Sequence, residues 1–273
     1  MAFRIETKTV TPAFARELLR RNVDNNRNLR PTKVSQYARD IAAGDWPITG
    51  DTVKVDTNGR LIDGQHRLSA VVLADMPVEM LIAWDVDPAV MPLLDIGAAR
   101  KFSDVLKMSG VKHRAATAAI VRRVAMWESG NRMGSGGTVH PQPTHAELSE
   151  RHAKDISGFD TATDRGEDVR RMRLGACAPV GTCFYLFAEL SLEDAHRFFD
   201  AYISGANLTE GDPVLALRNR MVRVGRDERL SAAEIQALFI RAWNAVREGR
   251  TLASVPITTG GRKLTNATYP IPK

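Results

Sequence analysis

Apolar positions near the start of the chain repeat with helical spacing. Thr11 followed by Pro12 suits an N-cap with proline at the first helical position, so a helix is predicted to begin there. A second helix is predicted from Pro31, because apolar residues then recur at i, i+3, i+4 and i+7 until Gly44. Those apolar residues are Val34, Tyr37, Ala38 and Ile41.

The period changes after residue 50, where alternating apolar and polar positions predict strands. Residues 52–55 and 60–62 are predicted to form a hairpin, since Asn58-Gly59 between them accepts positive φ at low cost. A helix is predicted over 68–74 and a further strand over 77–84. This order of helix, strand, strand, helix and strand indicates a small mixed sheet with helices.

Beyond residue 88 the chain is predicted to be mainly helical. The predicted helices are a short one ending at Gly110 and then 113–128, 145–156, 178–190, 192–204, 213–224 and 232–248. The glycine- and proline-rich segment 130–143 is predicted to be a linker. The sequence therefore predicts an α+β fold in two domains. Residues 1–110 would form the small mixed sheet with helices, and residues 111–273 a mainly α-helical region.

Two of the later helices carry apolar stripes that predict a buried core. Ser191 precedes a stripe of aromatic residues, and Ser231 with Glu234 suits a capping box ahead of a second stripe. The aromatic residues of the two stripes are Phe198, Phe199, Tyr202, Phe239 and Trp243. Their helical spacing is typical of core positions.

The composition is that of a globular protein, with 44% hydrophobic and 26% charged residues. No apolar run is long enough to cross a bilayer, and the first residues lack an apolar signal core, so a cytoplasmic protein without a membrane partner is expected. Cys177 and Cys183 form neither a disulfide framework nor a four-ligand zinc site. Both are predicted to be buried free thiols.

The net charge of +6 is concentrated in the second half of the chain. Residues 1–110 contain 15 basic and 14 acidic side chains, whereas residues 111–273 contain 23 and 18. The excess is mostly arginine, in groups within 122–123, 170–173 and 218–223. Arginine suits paired hydrogen bonds to phosphate, so DNA is the expected partner. A solvated basic face explains the same composition, and both interpretations stay open.

The segment 60–70 carries the residues with the clearest chemistry. A predicted strand ends at Ile62, Gly64 permits a tight turn and a helix begins near His66. The first amides of a helix have no partner within it and, with the helix dipole, favour an anion. Arg67 can donate two hydrogen bonds to phosphate oxygens, and His66 can donate to a phosphate or transfer a proton.

Asp63 is the candidate metal ligand and base of this loop. Its carboxylate can hold a divalent metal ion or accept a proton from an attacking hydroxyl. A purely structural role is the other explanation, in which Asp63 caps the helix, Arg67 pairs with Asp63 and His66 is a solvated loop side chain. The sequence leaves both explanations open.

A strand, then Asp63-Gly64-Gln65-His66-Arg67, then a helix and a strand resembles the ParB/sulfiredoxin-like superfamily. The resemblance covers about residues 25–87. Members carry a related Gly-x-x-Arg loop, which is Gly-Glu-Arg-Arg in the chromosome-partitioning branch and Gly-Cys-His-Arg in sulfiredoxin, and this loop binds nucleotide phosphates. The whole chain also resembles phage proteins with a ParB-type N-terminal domain and a helical C-terminal half, which implies the host cytoplasm as its location.

The resemblance implies that ATP or CTP binds at this loop together with Mg²⁺. Asp63 and His66 would lie at the reacting centre, with Asp63 also as the metal ligand. The residues that would contact the nucleotide are Arg30, Gly64, Gln65, Arg67 and Ser69. Arg100, in a second Asp-Gly-Arg segment at 95–101, is a further candidate, although an ordinary charged loop has the same composition.

Gln65 departs from the pattern of the superfamily. It occupies the position of the sulfiredoxin cysteine, so reductase chemistry is not expected. It also replaces the loop glutamate of the partitioning branch, which leaves Asp63 as the nearest substitute carboxylate. A kinase needs a further base, for which Asp24, Asp45 and Asp51 are the candidates.

Three functions are consistent with these observations. The first is an NTP-dependent enzyme or switch that acts on DNA or a DNA-derived substrate and transfers phosphate to water or to a hydroxyl acceptor. The second is a non-catalytic DNA-binding regulator of the partitioning type. The third is a nuclease, for which the sequence shows no dense carboxylate cluster that would hold two metal ions. A homodimer is left open as the oligomeric state.

Overall fold

The computed structural model describes residues 3–24, 26, 28–94, 101–134, 142–224, 229–258 and 263–273. The chain divides into two compact units, one of Met1–Ala99 with Gly136–Ala146 and the other of Arg100–Ser135 with Glu147–Lys273. The first contains a small mixed sheet with helices, and the second is mainly helical. The predicted α+β fold class is therefore confirmed.

A four-stranded mixed sheet forms the centre of the first unit. Its strands are β1 (Arg4–Val10), β2 (Thr52–Asp56), β3 (Leu61–Asp63) and β4 (Val78–Val86). They lie in the order β1-β4-β2-β3, in which β2 and β4 are parallel and the other neighbouring pairs antiparallel. The helices of this unit are α1 (Pro12–Arg20), α2 (Pro31–Ala42) and α3 (Gln65–Ala74), with a 3-10 helix at Pro88–Leu93.

The core of the first unit comes from the positions that the apolar pattern singles out. Buried side chains include Leu18 of α1, Val34 and Ile41 of α2, Leu68 of α3 and Val53 of β2. The start of α1 is also as predicted, because the hydroxyl of Thr11 accepts a hydrogen bond from the N–H of Phe14. Local signals and burial agree here, which is why the prediction holds.

Strand β1 has no counterpart in the sequence prediction. It lies at an edge of the sheet, and of its seven residues only Val10 is buried. Ile5 is 52% exposed, and polar residues occupy most other positions, so the strand lacks the alternation that a half-buried strand shows. Its pairing with β4 holds it in place.

Eight helices follow in the described part of the second unit. They are α4 (Phe102–Met108), α5 (Arg114–Glu128), α6 (His145–Lys154), α7 (Ile156–Arg171), α8 (Cys177–Ala188), α9 (Leu192–Ser204), α10 (Pro213–Arg223) and α11 (Ala232–Arg247). Among the described helices, none is long and apolar enough to cross a membrane.

Aromatic side chains of α8, α9 and α11 build the centre of the helical core. Phe187 stacks on Trp243 with 4.4 Å between ring centroids, and Phe199 stacks on Phe239 at 6.0 Å. The capping box of Ser231 and Glu234 is also present. The predicted core stripes are confirmed, and so are the buried free thiols of Cys177 and Cys183.

Helix α7 has no counterpart in the sequence prediction, in which the helix over 145–156 corresponds to α6 and the next helix begins at 178. The helix packs closely on α8 through glycines as well as through Phe159, whose ring stacks on that of Tyr185 with 4.5 Å between centroids. A Cβ at Gly166 would lie 2.7 Å from the carbonyl oxygen of Cys177, and one at Gly181 would lie 2.6 Å from that of Ala162. Glycine lowers helix propensity, so the helical signal of this segment is weak although Asp155 caps its N-terminus.

The boundary between the units lies before α4 rather than after residue 110. Phe102 and Leu106 are buried in the helical core, which assigns α4 to the second unit. Within the first unit, Arg39 Nη2 donates to the carbonyl oxygen of Gln142 at 2.8 Å. Of the predicted linker 130–143, residues 135–141 lie outside the described residues.

Candidate functional site

Gly64 forms the turn between β3 and α3. Its φ of +100° is in the left-handed region, and a Cβ there would lie 2.9 Å from Cγ2 of Val53 on β2. Both the backbone conformation and the close approach therefore require glycine. The turn presents the N-terminus of α3, which begins at Gln65, at the end of β3.

Asp63 lies between two cations at this turn. The carboxylate is buried, and its Oδ2 is 2.6 Å from Nζ of Lys54 and 3.5 Å from Nη2 of Arg67. The antiparallel register of β2 and β3 puts Lys54 directly opposite Asp63. Nη2 of Arg67 also donates to the carbonyl oxygen of Thr52 at 2.9 Å. Asp63 thus holds both cations in place at the first turn of α3.

His66 holds the segment that leads into α2. The ring is buried, and its Nε2 accepts a hydrogen bond from the backbone N–H of Arg30 at 3.0 Å. The backbone of Arg30 is thereby held beside the first turn of α3. Its guanidinium is exposed and, among the described residues, has no ion-pair partner.

The side chain of Gln65 is turned toward the loop that follows α1. Its Oε1 accepts from Nδ2 of Asn22 at 3.1 Å, and it is 95% buried. Ser69 lies four residues later on α3 and is half-buried. Arg100 lies outside the described residues. The structure thus brings Arg30 and residues 63–69 together around one helix terminus.

A pocket of about 220 Å³ opens beside Arg67. Its wall combines four carboxylates with two aromatic rings, those of Tyr37 and Trp46, which meet edge to face at 5.2 Å. The carboxylates are Asp40, Asp45, Asp51 and Glu79. The structure therefore separates the three candidate bases, because Asp45 and Asp51 line this pocket whereas Asp24 does not.

Several residues of the site were not identified from the sequence. Lys54 could have been found from the hairpin register, which places it opposite Asp63. Tyr37 and Asp40 are three residues apart on α2, so they share a face, but only the tertiary structure brings that face to Trp46 and Glu79.

The described residues contain no group of three or more His, Cys, Asp or Glu side chains that could hold a metal ion. Asp63, the predicted ligand, faces Lys54 and Arg67, and both cations compete with a metal for its oxygens. The site therefore does not fit a resident metal. In nucleotide sites Mg²⁺ is usually bound by one or two carboxylates together with the substrate phosphates.

Two of the arginine groups of the second unit are engaged within the chain. Arg170 pairs with Glu167 at 2.7 Å and Arg171 with Asp168 at 3.2 Å. Arg218 donates to the carbonyl oxygens of Tyr202 and Ile203 at the end of α9. These contacts stabilise helices, so the clustering of arginines in the sequence overstates the basic surface that is free to bind a partner.

No protein-family model, curated protein or solved structure matches this chain.

Proposed function

We propose that the first unit is an NTP-dependent phosphotransferase of the ParB/sulfiredoxin-like type, which binds ATP or CTP at the N-terminus of α3. The observation that carries this proposal is the position of Arg67. It lies on the first turn of α3, is oriented by Asp63 and Thr52, and also lines the adjacent pocket. One guanidinium can therefore contact a transferred phosphate and a bound acceptor.

The phosphates would be held by the α3 terminus, Arg67 and Arg30. Gly64 keeps the backbone of the turn close to the sheet, and amides at a helix N-terminus favour a phosphate. The exposed guanidinium of Arg30 would add a second cation, because the backbone of Arg30 is bonded to His66 on the same turn of α3. Asp63 and His66 position these cations.

The acceptor would occupy the 220 Å³ pocket. Four carboxylates line it against a single arginine, so it disfavours a polyanion such as intact DNA. A small hydroxyl compound with a neutral or cationic body fits this wall better, and Tyr37 and Trp46 offer apolar contact. This geometry favours a hydroxyl acceptor over the DNA duplex.

Asp51 is the proposed general base. It immediately precedes Thr52, whose carbonyl oxygen is bound by Arg67, so its chain position is next to the phosphate contact. The acceptor oxygen would attack the γ-phosphorus while its proton passes to Asp51. The bond from the γ-phosphorus to the bridging oxygen breaks, and the nucleoside diphosphate leaves with the electron pair.

A nucleotide-dependent switch without turnover is the second candidate. It is favoured by one observation, namely that Asp63 and His66 are both engaged in contacts that orient other groups. Bound nucleotide would then strengthen the association of the 28–30 segment with α3 without any transfer of phosphate.

The test follows the label of γ-labelled ATP, and separately of CTP, in the presence of Mg²⁺. The acceptors offered are water, DNA and a panel of small alcohols with and without an amino group. Label on a small alcohol is the expected result. Asp51→Asn should lower the transfer rate about 100-fold, as for loss of a general base, while nucleotide binding is retained. Asp24→Asn, an exposed carboxylate outside the pocket, is the matched control and should behave as the unaltered protein.

Three other results would each change the conclusion. Release of labelled phosphate only, without transfer to an alcohol, would reject the acceptor pocket. Binding of nucleotide without turnover would support the switch. Unchanged nucleotide affinity in Arg67→Gln would reject the phosphate site itself.

A further inference from the structure

Two arginines of the second unit line one small cavity in which no described lining residue is a carboxylate. Arg123 lies on α5, and Arg132 lies in the turn that follows this helix. The wall of the cavity also includes Trp127, Asn131 and Gln236. Within the described part of the chain, neither guanidinium forms an ion pair, in contrast to Arg170 and Arg171 on the surface.

Among the described residues, the hydrogen bonds of both arginines are to neutral groups. Arg123 Nη2 donates to Oε1 of Gln236, and Arg132 Nη1 donates to the carbonyl oxygen of Asn266 at 3.1 Å. The guanidinium of Arg132 also lies 5.4 Å from the ring centroid of Trp127. The Nε atoms of both arginines are buried and have no hydrogen-bond partner.

This arrangement is costly without a counter-charge. A guanidinium keeps its proton in proteins, and a buried charge is tolerated where it is paired and fully hydrogen-bonded. Burial accordingly lowers the pKa of Arg123, and the groups that oppose this effect are Tyr269 and Cys183 rather than a carboxylate. An anion from solution would supply the missing charge.

We propose that Arg123 and Arg132 form an anion site for a phosphate group, separate from the nucleotide site of the first unit. The cavity volume of about 10 Å³ is close to the minimum for one water molecule or one ligand oxygen. A single phosphate oxygen therefore enters between the guanidiniums, and the remaining oxygens stay at the mouth of the cavity. Guanidinium groups suit this geometry because they donate paired hydrogen bonds to oxyanions.

The first experiment measures thermal unfolding of the full chain in increasing inorganic phosphate, with chloride at equal ionic strength as the reference. A ligand that binds only the folded state raises the melting temperature with its concentration. We expect a saturable rise in phosphate. Arg123→Gln and Arg132→Gln should each weaken the apparent phosphate affinity at least about tenfold, the loss expected for one charge-assisted hydrogen bond.

Arg197→Gln is the matched control. This arginine is an exposed, ion-paired residue of the same unit, so its loss should leave the phosphate response unchanged. Each variant is compared with its own melting temperature in chloride, which separates loss of binding from loss of stability. Should Arg123→Gln fail to fold, Arg132→Gln provides the test, because the side chain of Arg132 is hydrogen-bonded only to the backbone carbonyl of Asn266 among the described residues.

A second arm offers a DNA oligonucleotide in place of free phosphate. A larger stabilisation by DNA, lost in the same two variants, would assign the phosphate to a nucleic acid backbone. A response to free phosphate alone would assign it to the small ion. Equal melting temperatures in phosphate and chloride, with no effect of DNA, would mean a water-filled cavity and would overturn the proposal.

Discussion

Nε2 of His66 accepts a hydrogen bond from the backbone N–H of Arg30 at 3.0 Å, across 36 residues of chain. This bond ties the entry of α2 to the first turn of α3, so the backbone of Arg30 lies beside the turn that carries Arg67. A ring nitrogen that accepts this bond carries no proton, so His66 acts here as a positioning group.

We predict that His66→Phe will release the Arg30 segment while the ring volume is largely kept. Hydrogen exchange of the Arg30 amide should accelerate at least about tenfold, in line with the loss of about 1–1.5 kcal/mol from one buried hydrogen bond. Exchange at Leu68, whose N–H is bonded to the carbonyl of Gly64, should change little. Equal acceleration at both amides would show instead that α3 itself is destabilised.

Gly64→Ala should lower the free energy of unfolding by about 2–4 kcal/mol. A residue with a side chain is strained at φ +100°, and the new Cβ would also meet Cγ2 of Val53 at 2.9 Å. Gly59→Ala is the matched control, since Gly59 has φ +75° but no atom within 4 Å of its Cβ position. Chemical denaturation gives the free energy of unfolding of both variants, and the difference between their losses is the cost of the contact with Val53. Equal losses would show that only the backbone conformation matters.

Part of the folding stability is expected to depend on pH through Asp56. Burial would raise the pKa of this carboxyl, but hydrogen bonds from the backbone and side chain of Arg60 and from Asn58 lower it overall. A lowered folded-state pKa stabilises the protein above the ordinary carboxyl pKa of about 3.9, and this contribution is lost as the pH falls through the lowered value. Asp56→Asn should therefore cost about 1.5 kcal/mol at pH 7, and the difference should shrink below pH 4.

Asp87→Asn provides the comparison for Asp56. Asp87 also accepts a backbone amide, from Ala89, but it is exposed and has no cation partner in the described structure. Urea denaturation at pH 7 and at pH 3 should show a pH-dependent loss for Asp56→Asn only. A loss of equal size at the two pH values would contradict the assignment.

Both cysteines should react slowly with a thiol reagent in the native state. Burial, and to a smaller extent a hydrogen bond with Glu167, raises the pKa of Cys177 to about 12. Burial also raises the pKa of Cys183. Since the thiolate is the reactive form, we expect both thiols to be titrated quickly only after denaturation. Rapid labelling of one thiol in the folded protein would place that residue on an accessible surface.

The elements with clear local signals were predictable from the sequence. The Asn58-Gly59 turn, the Thr11 cap and the capping box at Ser231 are each formed by residues close together in the chain. The strand-to-helix turn at Gly64 belongs to this class as well. The type and order of these elements therefore follow from short-range physics, and the α+β class follows from their order.

The elements that depend on distant partners were not predictable in this way. Strand β1 is held by its pairing with β4, and α7 by glycine-mediated contact with α8. Only one residue of β1 is buried, and the glycines of α7 weaken the helical signal of its segment. Burial of Gln65 and His66 likewise depends on Asn22 and Arg30, which lie about forty residues earlier in the chain.

The sequence by itself determined the loop 63–67, its strand-loop-helix setting and the apolar stripes of the two units, because each depends on neighbouring residues. Only the tertiary structure decided which groups surround that loop. It brought His66 to the backbone N–H of Arg30, and it brought Asp45 and Asp51 to the pocket beside Arg67 but not Asp24. Charges act through distance in space, and the fold alone sets those distances for residues far apart in the chain.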